Sequence, residues 1–197
     1  YDDCNGFSSG SVYVYDANDL SAQPTKLTAF DGDTGDVFGG KLAVSGDKLI
    51  VSAQQDETDN NIAGSGSVYV YDINNLSATP TKLTAFDGTT NDYFGSLISA
   101  TADKIVVGAY GDDSNTGSVY VYGANDLSAQ PTKLTAFDGA ANDNFGWSVA
   151  TTADKIVVGA YGDDSNTGSV YVYDVNNLSA TPTKLTAFDA AAGDYFG

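Results

Sequence analysis

One hexapeptide, Gly-Ser-Val-Tyr-Val-Tyr, occurs four times in this chain, beginning at Gly10, Gly66, Gly117 and Gly168. The steps are 56, 51 and 51 residues. Thr-Lys-Leu-Thr-Ala-Phe-Asp recurs in the same register from Thr25, Thr81, Thr132 and Thr183, and so does Phe-Gly from Phe38, Phe94, Phe145 and Phe196. Thr101 to Tyr122 is identical to Thr152 to Tyr173. Self-similarity at a fixed period of this length means one structural unit, repeated, whose apolar faces are hidden by its neighbours. The five extra residues of the first step all lie between Ala53 and Gly66. An insertion confined to one place marks a loop outside the packed unit.

Within a unit the residue types read as four short strands. In the last complete unit they are predicted at Trp147–Thr151, Lys155–Tyr161, Ser169–Tyr173 and Thr183–Phe188. These stretches are rich in Val, Ile, Tyr, Thr and Phe, and turn-forming Gly, Asp, Asn and Pro stand between them. No segment has a 3.6-residue apolar period long enough for a core helix. Ile156-Val157-Val158-Gly159-Ala160 is apolar on both faces, and Val170-Tyr171-Val172-Tyr173 alternates aliphatic with aromatic. Strands without a polar side need sheet above and below. The expected class is therefore all-β: an open or partial β-propeller of four-stranded antiparallel sheets, about three and a half blades long. An open solenoid of sheets is the alternative. The expected division is half a blade at 1–37, blades at 38–93, 94–144 and 145–195, and the start of another repeat at 196–197. Phe38, Phe94, Phe145 and Phe196 are the expected structural anchors.

The order Phe-Gly, Lys-Ile-Val-Val-Gly-Ala-Tyr, Gly-Ser-Val-Tyr-Val-Tyr resembles the FG-GAP repeat, as found in integrin α subunits and in many surface and secreted proteins. Phe145-Gly146 and Gly159-Ala160-Tyr161 stand where that family has Phe-Gly and Gly-Ala-Pro, with Tyr161 and Tyr110 in place of Pro. The resemblance implies propeller blades and an extracellular or cell-surface location. Many such repeats carry a calcium loop between the first two strands. Here that connection is only Thr152-Ala153-Asp154, so that site is not implied.

Charge narrows the partners. The chain has 26 acidic residues against 8 basic ones, for a net charge of −18. Such a surface repels nucleic-acid phosphate and anionic lipid, and no apolar run reaches the roughly 20 residues of a membrane helix. The expectation is no nucleic acid and no membrane insertion. His is absent, and the carboxylate pairs recur in every repeat, whereas an active site is normally built once from different residues. The chain is expected not to be an enzyme and to need no cofactor, calcium being the one candidate ion. Its oxygen ligands would come from acidic loops: Asp31, Asp33 and Asp36 in the first copy, then Asp112, Asp113, Asp163 and Asp164. The competing reading gives these residues the capping of tight turns, together with Asp87, Asn91, Asp92, Asp138, Asn142 and Asp143. Trp147 stands where the earlier repeats have Ser96 and Gly40, and suits either packing or sugar stacking. Asn75-Leu76-Ser77 and Asn177-Leu178-Ser179 are glycosylation sequons in a secreted chain.

Cys4 is the single cysteine, a candidate for an intermolecular disulfide. Without an initiator Met, the sequence reads as a processed product or a segment. Counting strands gives two, four, four and four, leaving half a blade with an unpaired edge. The function expected is a non-catalytic extracellular module that mediates self-assembly, as a fibre or surface layer, or adhesion. Its partners would be further copies of itself or neighbouring repeats, a glycan or a surface protein. The alternative is a calcium- or glycan-binding propeller domain of a larger adhesin.

Overall fold

The computed structural model describes residues 6–57 and 62–197. Fourteen strands lie in chain order among them. A two-stranded sheet holds β1 (Val12–Val14) and β2 (Thr25–Leu27). The second sheet holds β3 (Leu42–Ser45), β4 (Lys48–Ala53), β5 (Ser67–Asp72) and β6 (Thr81–Leu83). The third holds β7 (Leu97–Ala100), β8 (Lys104–Ala109), β9 (Ser118–Gly123) and β10 (Thr132–Leu134). The fourth holds β11 (Phe145–Thr151), β12 (Lys155–Ala160), β13 (Ser169–Asp174) and β14 (Thr183–Leu185). Each larger sheet is an antiparallel meander, and the register repeats: Val107 faces Tyr120 as Val158 faces Tyr171. The fold is all-β, an array of β-propeller-type four-stranded sheets.

The cores lie between sheets. Val68 and Val70 on β5 and Leu83 on β6 join Phe94, Ile105, Val107, Tyr120 and Tyr122 of the third sheet in one cluster. Val119, Val121 and Leu134 join Phe145, Ile156, Val158, Tyr171 and Tyr173 of the fourth sheet in the next. Val12 and Leu27 meet Phe38, Tyr69 and Tyr71 in the same way. The rule is a strand code of period two. Valines of the hexapeptide face the following sheet, and tyrosines face the preceding one. Each fully buried side chain contributes about 1.5–3 kcal/mol, and most of that gain exists only when the neighbouring sheet is in place.

Phe-Gly is the joint. The Phe94 amide donates to the Ser65 carbonyl at 2.9 Å, and the Gly95 amide donates to Gly108 O of its own sheet at 3.0 Å. The Phe145 amide likewise donates to Thr116 O at 2.9 Å. The hexapeptide glycine permits this approach. Gly66 has φ +86, and a Cβ there would collide with the Phe94 carbonyl oxygen. Phe94 and Phe145 are fully buried, and Phe38 nearly so.

Two expectations need correction. The fourth strand ends at Leu185, not Phe188. The following Thr-Ala-Phe-Asp turns away toward the next repeat, so Phe30, Phe86 and Phe137 lay one edge on Tyr69, Tyr120 and Tyr171 of the next sheet. Phe188 meets no such ring and is wholly exposed. Phe196 is 37% exposed rather than a buried anchor. Its equivalents pack on hexapeptide tyrosines 26 to 33 positions further along, such as Tyr71 for Phe38 and Tyr171 for Phe145. Cys4 lies outside the described residues.

Candidate functional site

The acidic loops, read from sequence as candidate calcium ligands, form a repeated clasp between sheets. Tyr120 on β9 points back at the third sheet's neighbour. Its hydroxyl lies 2.7 Å from Asp87 Oδ1 and 3.3 Å from Asp112 Oδ2. Lys133 on β10 places Nζ 2.7 Å from Asp87 and 2.5 Å from Asp112, and 5.5 Å over the Tyr120 ring. Asp87 comes from the preceding sheet's Thr-Lys-Leu segment, and Asp112 from the loop after β8. The group recurs with Tyr69, Lys82, Asp31 and Asp56, then with Tyr171, Lys184, Asp138 and Asp163. The second tyrosine of each of the last three hexapeptides adds a bond: Tyr71 Oη donates to Thr28 O at 3.1 Å, Tyr122 Oη to Thr84 O at 2.9 Å, and Tyr173 Oη to Thr135 O at 2.8 Å.

The electrostatics follow from burial. Desolvation would raise Asp87, Asp138 and Asp163, but hydrogen bonds and charge from the clasp lysine and tyrosine outweigh it and hold them below the ordinary carboxylate range. Asp31 behaves in the same way beside Lys82 and Tyr69. The same carboxylates push Tyr69, Tyr120 and Tyr171, already desolvated, well above their usual value. Burial opposes the charge on the clasp lysines, yet hydrogen bonds to two aspartates raise all three.

Asp31 and Asp36 have different partners. Asp31 sits in a clasp. Asp36 turns inward to accept the Asp33 amide at 2.6 Å. Asp92 and Asp143 accept the Thr89 and Ala140 amides at the same distance. Asp36 is buried, and desolvation, followed by the Asp56 and Asp33 charges, lifts it to about 6. Asp113 and Asp164 are exposed and lie in left-handed turns with φ of 49° and 50°. Asp164 reaches Lys184 at 3.1 Å. Among the described residues no group of three or more Asp, Glu, Cys or His is placed to hold a metal ion.

Trp147 lies within a row of rings. Tyr93 stacks on Tyr110 at 5.3 Å, Tyr110 meets the Trp147 edge at 4.9 Å, and Trp147 meets Tyr161 at 4.8 Å. Trp147 packs between two tyrosines while keeping 44% of its surface open. Both sequon asparagines are exposed, and each accepts from its own serine hydroxyl: Asn75 from Ser77 at 2.8 Å and Asn177 from Ser179 at 2.9 Å. The lysines of the clasp are what sequence reading missed. Each repeat carries two aspartates and one Thr-Lys-Leu lysine in fixed register, which is the signal that could have found them.

A family model of the FG-GAP repeat matches residues 22–71, 79–122 and 129–173, well over half of the chain. The chain belongs to the FG-GAP repeat family. No curated protein matches it closely enough to count as a relative. In this FG-GAP array, the matched segments begin before one sheet's last strand and end in the next sheet's hexapeptide. Each match therefore spans one Phe-Gly joint, and each Asp–Tyr–Lys clasp ties the two sheets that meet there. Such repeats make a β-propeller-type interaction module, and among the described residues no helix is long and apolar enough to cross a membrane.

Proposed function

We propose that this FG-GAP array is a non-catalytic, extracellular structural module that joins sheet to sheet with further copies of itself or with neighbouring repeats, in a fibre, a surface layer or an adhesive contact. The observation that carries this is the outer face of the fourth sheet. Val157, Val170 and Val172 are only half-buried and Leu185 is 46% exposed, whereas Val106, Val119, Val121 and Leu134, one repeat earlier, are buried. The clasp residue of that face is also present: Asp189 stands where Asp138 stands in the third sheet. At the first sheet, Tyr13 and Tyr15 are 48% and 55% exposed, where Tyr69 and Tyr71 are buried.

The two faces differ and complement each other, valine and leucine at one, tyrosine and lysine at the other. A contact between unlike faces is head to tail, and when its rotation does not close it makes a filament. Two features support an exterior location: exposed sequons and a strongly acidic surface. The carboxylates support a structural role, because each is held by the same lysine and tyrosine in repeat after repeat.

Sedimentation analysis across protein concentration tests the reading. The expected result is a mass that rises with concentration, more so at higher salt, which screens the −18 charge. Leu185→Lys is expected to lower that mass toward the monomer. A single monomeric species at high concentration and high salt overturns self-association.

A further inference from the structure

In an array of near copies, the places where copies differ carry information. Thr101 to Tyr122 is identical to Thr152 to Tyr173, but the residues just ahead are not. Ser96-Leu97-Ile98-Ser99-Ala100 in one repeat corresponds to Trp147-Ser148-Val149-Ala150-Thr151 in the next, and to Gly40-Lys41-Leu42-Ala43-Val44 in the one before. The position after the second strand reads Gln54, Tyr110 and Tyr161. These variable positions meet in space. Lys41, Gln54, Ser96, Leu97, Tyr110 and Trp147, from three consecutive sheets, line one cavity of about 260 Å³.

We propose that this cavity binds one pyranose ring of a glycan. Its size lies just under the roughly 300–1,000 Å³ typical of sites for drug-sized ligands, which suits a single sugar. Trp147 and Tyr110 meet at 65° and form an aromatic corner. A pyranose offers such a corner a C–H face, and presents hydroxyls around its rim to polar groups. Those groups are here. The Gln54 amide donates and accepts. The Lys41 ammonium has three donors, and among the described residues it makes no ion pair. Ser96 Oγ gives its proton to Gly108 O at 3.1 Å and keeps its lone pairs for a sugar hydroxyl. An all-apolar ligand would strand these donors, and a phosphate ligand would meet the repulsion of the chain as a whole. The site includes residues of the first strands and none of the clasp residues, and does not depend on self-association.

Trp147 is the chain's single tryptophan, and its emission reports on this cavity and on a second one that it lines with Tyr161 and Tyr195, so the Lys41 and Gln54 variants, which touch only the first, tell the two apart. The experiment is a fluorescence titration with the methyl glycosides of glucose, galactose, mannose, N-acetylglucosamine and glucuronic acid. The last compound separates acidic from neutral sugars. The expected result is a saturable change with at least one of them, weakened about tenfold by Lys41→Ala and by Gln54→Ala. Both side chains lie at the surface, so the variants should melt with the parent. No saturable change with any of the five overturns the proposal. A saturable change that both variants leave intact overturns it too, because the sugar would then be bound elsewhere.

Discussion

The clasp and the first-strand rim are made by the same repeats, yet they have diverged by different amounts. In all three complete clasps the residues are the same four, a tyrosine, a lysine and two aspartates, at nearly the same distances. At the rim the corresponding positions hold Gly40, Ser96 and Trp147, or Lys41, Leu97 and Ser148. The physical difference is burial. Clasp groups are desolvated between two sheets, where loss of one partner leaves a charge stranded, so every repeat needs the same set. The first strands are partly open, with half-buried and exposed residues along β3, β7 and β11, so their side chains are free to differ. Uniform chemistry holds the array together, and variable chemistry lines the proposed sugar site.

The largest expected effect breaks the joint rather than the clasp. Phe94→Ala removes a fully buried ring that meets Tyr120 at 5.4 Å and Tyr122 at 6.3 Å. It should cost roughly 3–5 kcal/mol, measured by denaturant unfolding. Phe196→Ala, on a half-open ring, should cost well under half as much. Equal losses at the two positions would mean that neighbouring sheets are not what seats these rings.

Next comes the charge. Lys133→Met leaves Asp112, almost wholly buried, without its cation, and should cost about 3 kcal/mol, at the low end for broken buried pairs because Lys133 keeps some contact with water. Lys41→Met at the rim should leave stability nearly unchanged. A matched pair of melting curves separates clasp from rim directly.

The strand pattern was legible in the sequence because alternation and turn residues are local. Both apolar faces of β8 and β9, and so the stacking, followed from Ile-Val-Val-Gly-Ala and Val-Tyr-Val-Tyr. The clasp was not legible, because its partners lie far apart: Lys133 pairs with Asp87, 46 positions away, and Lys82 with Asp31, 51 away. From sequence, an aspartate cluster looks the same whether a metal or a lysine neutralises it. The early end of β14 was missed for a similar reason. Thr-Ala-Phe-Asp has strand-like composition, but in the earlier copies its Phe and Asp are used by the next sheet.

A smaller effect concerns Asp36. Its pKa rises from the ordinary 3.8 to about 6 in the folded chain. Its protonated form therefore stabilises the fold below about pH 4, and that contribution is lost as pH rises through 6. Asp36→Asn keeps an oxygen for the Asp33 amide and does not titrate. The variant should melt above the parent at pH 7, and the gap should close toward pH 4. Asp31, Asp87, Asp138 and Asp163 act in the opposite sense: their contribution holds above their unfolded pKa and is lost as pH falls through the lowered folded values. The smallest expected effect is that of calcium. With lysines in the clasps, calcium should shift the melting point no more than magnesium at equal ionic strength. A calcium-specific rise would restore a metal role to the acidic loops.

Native-state hydrogen exchange puts the stacking itself to the test, since a sheet flanked on both sides should open less often than one flanked on a single side. Under conditions that keep the protein monomeric, amides of β8 and β9 should be the slowest to exchange, and those of β13 and β14 measurably faster, although the sequences of β9 and β13 are almost the same. Equal protection in the two sheets would contradict the account, because each sheet would then be stable without its neighbours.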